Sequence, residues 1–269
     1  MNLFKEFLYF INSIIASKRI IYDLAKRDYQ SQYAGSLLGF LWVYIQPLIF
    51  IFTIYIVFTH GFKARPSGDV PFAAWLLSGM IAWLFFASNF SSGVGSIKQH
   101  SYLIKKINFQ LSILPLVKLL SAFIPHLVLV ITCIVIAKIS DIEISIYTLQ
   151  LIYYMFAMAM LLIGLNWLTS ATNLFVPDVT KVVAIFVQFG FWFTPIFWNA
   201  DRIPENYRWI LNLNPAHYIV SGYRDSIIFH VWFWEKPKET LIFWFICIII
   251  CIVGALVFKR LRPHFAEVV

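Results

Sequence analysis

The chain has 269 residues, of which 61% are hydrophobic and only 13% charged, against roughly 45–50% apolar and about 25% charged in a soluble domain. That balance excludes disorder and an ordinary soluble enzyme, and three cysteines are too few for a disulfide scaffold. The net charge of +8 does not point to nucleic acid, because in a polytopic membrane protein it must first be divided between the two membrane faces.

In chain order, Leu3, Phe4, Phe7, Leu8, Ile11, Ile14 and Ile15 repeat at spacings of three and four, the stripe of an amphipathic helix lying in a membrane interface. A soluble helix packed on a partner is the alternative. No small-residue cleavage site follows, so no signal peptide is expected. The run Lys18–Ser36 then brings Lys26, Arg27, Tyr29 and Tyr33 to the membrane surface, where anionic headgroups or the phosphate of a lipid substrate would meet them.

Six apolar stretches follow that can span about 30 Å of hydrocarbon: Leu37–His60, Phe72–Ser92, Ile113–Ala137, Tyr147–Thr169, Val182–Trp198 and Thr240–Phe258. An even number puts both termini on one side. With the termini cytoplasmic, 13 of the 21 Lys and Arg residues lie inside, which the positive-inside rule favours.

Between the second and third spans, Ser96–Gln110 mixes His100, Tyr102, Leu103 and Ile104 with Lys98, Lys105 and Lys106. Such a segment would dock on a soluble partner as a short two-faced helix, or simply snorkel as a basic loop. The segment Asn199–Glu239 is too apolar for a solvated loop and too broken by Pro204, Pro215 and Ser221-Gly222 to span. Asn214 as N-cap and Pro215 at the first turn start a short helix; Ser221-Gly222 is expected to end it, with a second running to about Phe229. Irregular backbone at membrane depth needs protein or water around it, so the pair is read as re-entrant from the outer face.

No G-x-x-x-x-G-K-[ST], H-E-x-x-H or G-x-S-x-G motif is present, so neither a P-loop nor those metal- and serine-based sites are expected. Asp and Glu are missing from all six stretches, and His126 is the one titratable side chain near a span centre. Ion-coupled transporters carry intramembrane ionisable groups, so energy for uphill transport would come from another subunit. The spans hold neutral polar residues instead, Gln46, Asn89, Asn166 and Gln188, which bond between helices or line a wet path. Aromatics gather towards the outer side, among them Trp192, Trp198, Tyr218 and Tyr223, beside Arg224. An interfacial belt accounts for many, while flat rings also pack on the C–H faces of sugars.

The run "LAKRDYQSQYAGSLLGFLWVYIQPL" resembles the start of the membrane subunit of polysaccharide ABC exporters, and "VPFAAWLLSGMIAWLFF", "SYLIKKINFQLSILPLVK", "LNPAHYIVSGYRDSI" and the C-terminal "FAE" continue the likeness in order. It is similar to the group exporting lipid-linked O-antigen or wall teichoic acid rather than to drug exporters. The resemblance implies a homodimer of six-helix subunits paired with two copies of a cassette ATPase that holds the ATP and Mg. It also implies an interface helix at Leu3–Ala16, a coupling helix at Ser96–Lys106 and re-entrant helices within Pro215–Phe229. Where that family often has Arg before the Asp after the fourth span, Val176-Pro177-Asp178 stands here; Lys181 can partly replace the pair at i+3.

The expectation is an all-α integral protein of the bacterial inner membrane with six transmembrane helices in one domain, residues 1–269. Residues 1–36 form the interface lead-in, 37–258 the permease with a coupling loop at 93–112 and a re-entrant segment at 199–239, and 259–269 a cytoplasmic tail. It would be the channel-forming permease moving an undecaprenyl-linked glycan outward, in contact with membrane lipids, without nucleic acid, bound metal, cofactor or catalytic site of its own. Lys26, Arg27, Tyr29 and Tyr33 would form the entrance; His100, Tyr102, Leu103 and Lys105 would couple to the ATPase. Gln46, Gln188, Trp192, Trp198, Tyr218, Tyr223 and Arg224 would line the channel and its exit. Alternatives are an ABC permease for drugs or small lipids and a membrane-embedded glycosyl- or acyltransferase.

Overall fold

The computed structural model describes residues 16–32, 35–63, 70–103 and 110–268. The expected interface helix, except Ala16, lies outside them, as do Tyr33 and Lys105. Every regular element among the described residues is helical: α1 (Lys18–Ser31), α2 (Trp42–Ile56), α3 (Phe72–Gly93), α4 (Ser96–Gln99), α5 (Leu114–Ile139), α6 (Leu151–Phe175), α7 (Val179–Phe193), α8 (Trp209–Asn212), α9 (Pro215–Arg224), α10 (Pro237–Leu261) and α11 (Phe265–Val268), joined by short 3-10 and π turns.

Five helical stretches among the described residues are long and apolar enough to cross a membrane: Gly39–Gly61, Phe72–Gly93, Leu111–Ile139, Ile146–Phe175 and Pro237–Val268. Each contains most of one expected span. The expected fifth span, Val182–Trp198, is helical only as far as Phe193. The 15 residues of α7 rise about 22 Å, short of a full hydrocarbon core.

The α3 helix runs through the centre, buried on nearly every face, and packs on α5, α9, α6, α2 and α7. A second axis is the long contact between α6 and α10. It is close because both partners are small where they cross: a Cβ on Gly254 would stand 2.3 Å from the Gly164 carbonyl oxygen. Without a hydrophobic drive between helices in lipid, such backbone approach supplies the packing.

At one end, here the basal end, α1 lays Ile21 and Ala25 on Ile113 and Val117 at the start of α5. Beside it Ile97, Leu103, Leu111, Leu114, Ala171, Leu174, Phe258 and Phe265 form a satellite core. At the distal end, Asn214 caps α9, its side-chain oxygen accepting from the Ala216 amide at 3.0 Å, with Pro215 at the first turn. Ser221-Gly222 does not end this helix, contrary to the expectation. It continues to Arg224 and through a π turn, Asp225–Phe229, stopping where His230 adopts φ 54°. Gly222 is there for contact: a Cβ would fall 2.0 Å from the Tyr154 ring. The distal pair is therefore one-turn α8 followed by α9 with its π extension.

Candidate functional site

The basal flank carries a cavity of about 570 Å³, lined by Arg27, Asp28, Ser31 and Gln32 of α1 and its end, Ser88 and Ser92 of α3, Gln99 of α4, His100 and Tyr102 just after it, and Lys118 and Ser121 of α5. A second cavity of about 640 Å³ shares Gln32, Ser88 and Ala122 with it and is walled chiefly by apolar side chains, including Trp42, Pro47, Phe50, Phe85 and Leu129, with Gln46 and Thr53 among them. The two therefore adjoin, a polar chamber beside an apolar groove running along α2.

The polar chamber is built on a buried ion pair. Lys118 Nζ donates to Asp28 Oδ1, both side chains nearly sealed from solvent; Ser121 Oγ donates to Asp28 Oδ2 at 2.7 Å and Gln32 Nε2 to the same oxygen at 3.2 Å. A buried charge must be paired, and Lys118 is the lone cation on the inner part of α5, so Asp28 is held there by necessity. The chain of bonds continues inward: Asn89 Nδ2 donates to the Lys118 carbonyl at 3.1 Å, and Asn166 Nδ2 to Asn89 Oδ1 at 3.0 Å. Arg27 and Lys26 are exposed on α1; Arg27 faces the chamber and Lys26 is not among its lining residues. Tyr29 is half-buried and also outside that lining.

The coupling candidates divide by burial. Leu103 is buried in the satellite core, and His100 is buried with Nδ1–H donating to the Ser96 carbonyl at 2.9 Å. Tyr102 is 58% exposed. The structure thus brings Arg27 from the expected entrance, and His100 and Tyr102 from the expected coupling segment, to one cavity.

The channel candidates do not form one cluster. Gln46 lies in the apolar groove. Gln188 and Trp192 lie on the exposed side of α7, and Trp198 Nε1 donates to the Trp192 carbonyl at 3.0 Å. Tyr218, Tyr223 and Arg224 are buried. The Tyr218 hydroxyl bonds Thr240 Oγ1 at 2.9 Å and the Tyr153 hydroxyl at 3.0 Å, while the Tyr223 hydroxyl meets His126 Nε2 at 2.7 Å. Arg224 donates to the carbonyls of Pro195 at 2.7 Å, Ile196 at 2.5 Å and Trp75 at 3.3 Å, and its guanidinium stacks 3.7 Å over the Trp75 ring. These three residues fasten α9 to α3, α5, α10 and the turn after α7.

Asp178 and Lys181 pair at 3.0 Å on the exposed start of α7, the i+3 pair expected there. Reading the sequence missed Asp28, Lys118, Ser121, Gln99 and the serines of α3 as site residues. One signal was available: a lysine in an apolar helix requires a carboxylate, and Asp28 precedes the first span. Among the described residues, no cluster of three metal-ligating side chains is present.

The ABC-2 type transporter family model matches residues 21–228. The chain is 26% identical over 248 residues to an O-antigen export system permease protein RfbA of Klebsiella pneumoniae, covering 91% of this chain and 93% of that protein. A second protein of that name from the same organism is 26% identical over 246 residues, with the same coverage. One from Myxococcus xanthus is 21% identical over 276 residues, covering 96% of this chain and 98% of that protein.

Proposed function

The chain belongs to the ABC-2 type transporter family, and from that premise we propose that it is the permease subunit of an ATP-driven exporter moving a lipid-linked polysaccharide, of O-antigen or teichoic acid type, to the outer face of the bacterial inner membrane. One observation carries the substrate reading: a basic, hydroxyl- and amide-lined chamber adjoins an apolar groove. That pairing matches a phosphate or pyrophosphate head on a long prenyl tail. Arg27 presents a planar donor fork to phosphate oxygens, with Gln32, Gln99 and the serines of α3 as neutral donors; the tail lies along Trp42, Pro47 and Phe50.

In this reading the basal end faces the cytoplasm, α7 with the turn after it completes six spans, and α8 and α9 are re-entrant from the outer face. ATP and Mg belong to a separate cassette subunit present in two copies. Tyr102 meets that subunit, while Leu103 and His100 hold Tyr102 in place. Two copies of this chain enclose the conduit. Support for a second copy comes from Gln46 and Gln188, which are exposed among mainly apolar side chains of α2 and α7; an amide left against lipid costs roughly 2–7 kcal/mol. Trp192 and Trp198 then lie where the glycan leaves.

The entrance is tested by Arg27→Ala. The variant should assemble normally with the cassette subunit and lose most surface glycan, with the lipid-linked precursor accumulating in the inner leaflet. Normal surface glycan would refute the assignment.

A further inference from the structure

The polar chamber contains one carboxylate among its lining residues, Asp28, and it is bound to the chamber's innermost cation, Lys118. The pair joins two unlike elements. Lys118 and Ser121 belong to α5, inside the bundle of long helices, whereas Asp28 belongs to α1, whose apolar contact with that bundle is made by Ile21, Ala25 and the half-buried Leu24. Three side chains donate to the Asp28 carboxylate, from Lys118, Ser121 and Gln32. This is the set of donors that an entering phosphate would use, since phosphate and carboxylate oxygens accept from the same ammonium and hydroxyl groups.

We propose that Asp28 is an internal anion that masks Lys118 until a lipid phosphate displaces it, so that α1 is a latch on α5 released by the substrate's head group. This rests on the reading of the chamber as the lipid-phosphate entrance. A phosphate beside Lys118 and a carboxylate in the same place repel each other, and the chamber offers Asp28 no second cation except Arg27, which the phosphate also engages. The phosphate-bound state is therefore the one in which Asp28 and α1 have moved away. Coupling of this kind is reciprocal: what weakens the latch strengthens phosphate binding, and the phosphate loosens α1. The chamber also contains Gln99, His100 and Tyr102, so a head group in it lies against the segment that meets the cassette subunit.

The latch predicts a sign that a purely structural ion pair does not. The full chain in phosphatidylcholine nanodiscs is titrated with farnesyl phosphate, a short polyprenyl phosphate, and with farnesol as the uncharged control. Wild-type protein should bind the phosphate saturably and farnesol far more weakly. Asp28→Asn keeps the side chain's shape and an acceptor for Ser121 but removes the competing charge, and should bind at least about fivefold more tightly, the lower end of typical coupling. Asp28→Ala, which also removes the competing charge and leaves the Lys118 and Ser121 donors in place, should shift binding in the same direction; it serves if Asp28→Asn does not fold. The neutral double variant Asp28→Asn with Lys118→Gln should bind more weakly than wild type.

Spin labels at the exposed positions Tyr22 of α1 and Leu120 of α5 should move apart when farnesyl phosphate is added to otherwise wild-type protein. Failure of phosphatidylglycerol nanodiscs to compete assigns the latch to polyprenyl phosphate, and competition assigns it to anionic lipid heads in general. Equal or weaker binding by Asp28→Asn and Asp28→Ala, with wild-type binding intact, overturns the latch alone. Absence of saturable binding to wild type overturns the entrance reading and the latch together.

Discussion

Arg224 places a guanidinium in the interior, where three carbonyl oxygens and the face of Trp75 take the place of water. The planar fork is what lets one side chain reach Trp75 on α3 and the Pro195–Ile196 turn together; an ammonium presents no such fork. Arg224→Lys should lower stability by about 2–3 kcal/mol, the scale of a charge-assisted hydrogen bond lost from a buried site. Thermal unfolding of the purified protein in detergent, followed by tryptophan fluorescence, should show a clearly lower midpoint; an unchanged midpoint would mean the bonds are dispensable. From the sequence, Arg224 reads as a polar residue among outer-side aromatics, because position along a chain does not reveal which carbonyls a turn will leave without donors. Asp28 was hidden for a related reason. It sits beside Lys26 and Arg27, and successive residues on a helix point about 100° apart, so a basic surface patch and a buried carboxylate can be neighbours in sequence. His126 was the more readable case: one ring in an apolar helix is expected to be packed and bonded, and it lies 4.2 Å from the Phe85 ring, nearly parallel, with Tyr223 on Nε2.

Among elements, the basal segment after α3 makes the clearest experiment, because adjacent residues have opposite environments. Leu103→Ala removes a buried side chain from the satellite core and should cost about 2–4 kcal/mol, seen as poor folding or a lower midpoint. Tyr102→Ala removes an exposed ring and should leave the midpoint unchanged while uncoupling ATP hydrolysis from export in the assembled complex. If both variants behave alike, the segment is packing rather than a contact surface. The long helices were legible because a run of about 20 apolar residues has few alternatives. The ends of α7 and α9 were not. Ser221-Gly222 carries the local chemistry of a helix stop, yet the Tyr154 ring pressed against Gly222 makes the glycine a point of contact inside a continuing helix. In α7 the apolar pattern runs on to Trp198 and masks the stop at Pro195, which disfavours helical backbone at Thr194, extended at ψ 131°; Arg224, 28 residues further on, then donates to the Pro195 and Ile196 carbonyls.

At the scale of the whole molecule, α5 and α10 expose apolar side chains in the single chain, and so do α2 and α7, through Phe52, Ile185, Phe186 and Phe189. If a second copy covers them, Ile185→Lys should shift native mass spectra of the purified protein from two copies towards one while leaving its helical content unchanged; persistence of two copies would move the interface elsewhere. Composition announced a membrane bundle, but not which faces meet lipid and which meet protein, since both are apolar. Phe265 has a consequence of a different kind. It is fully buried against Phe258 and Phe175 and belongs to the same core as Ile97 and Leu103. It closes a pocket begun by residues made more than 150 positions earlier. A nascent chain therefore cannot offer a finished basal surface until Phe265 has emerged, which sets an order of biogenesis: the long helices are made first, and the surface at their basal end is completed afterwards.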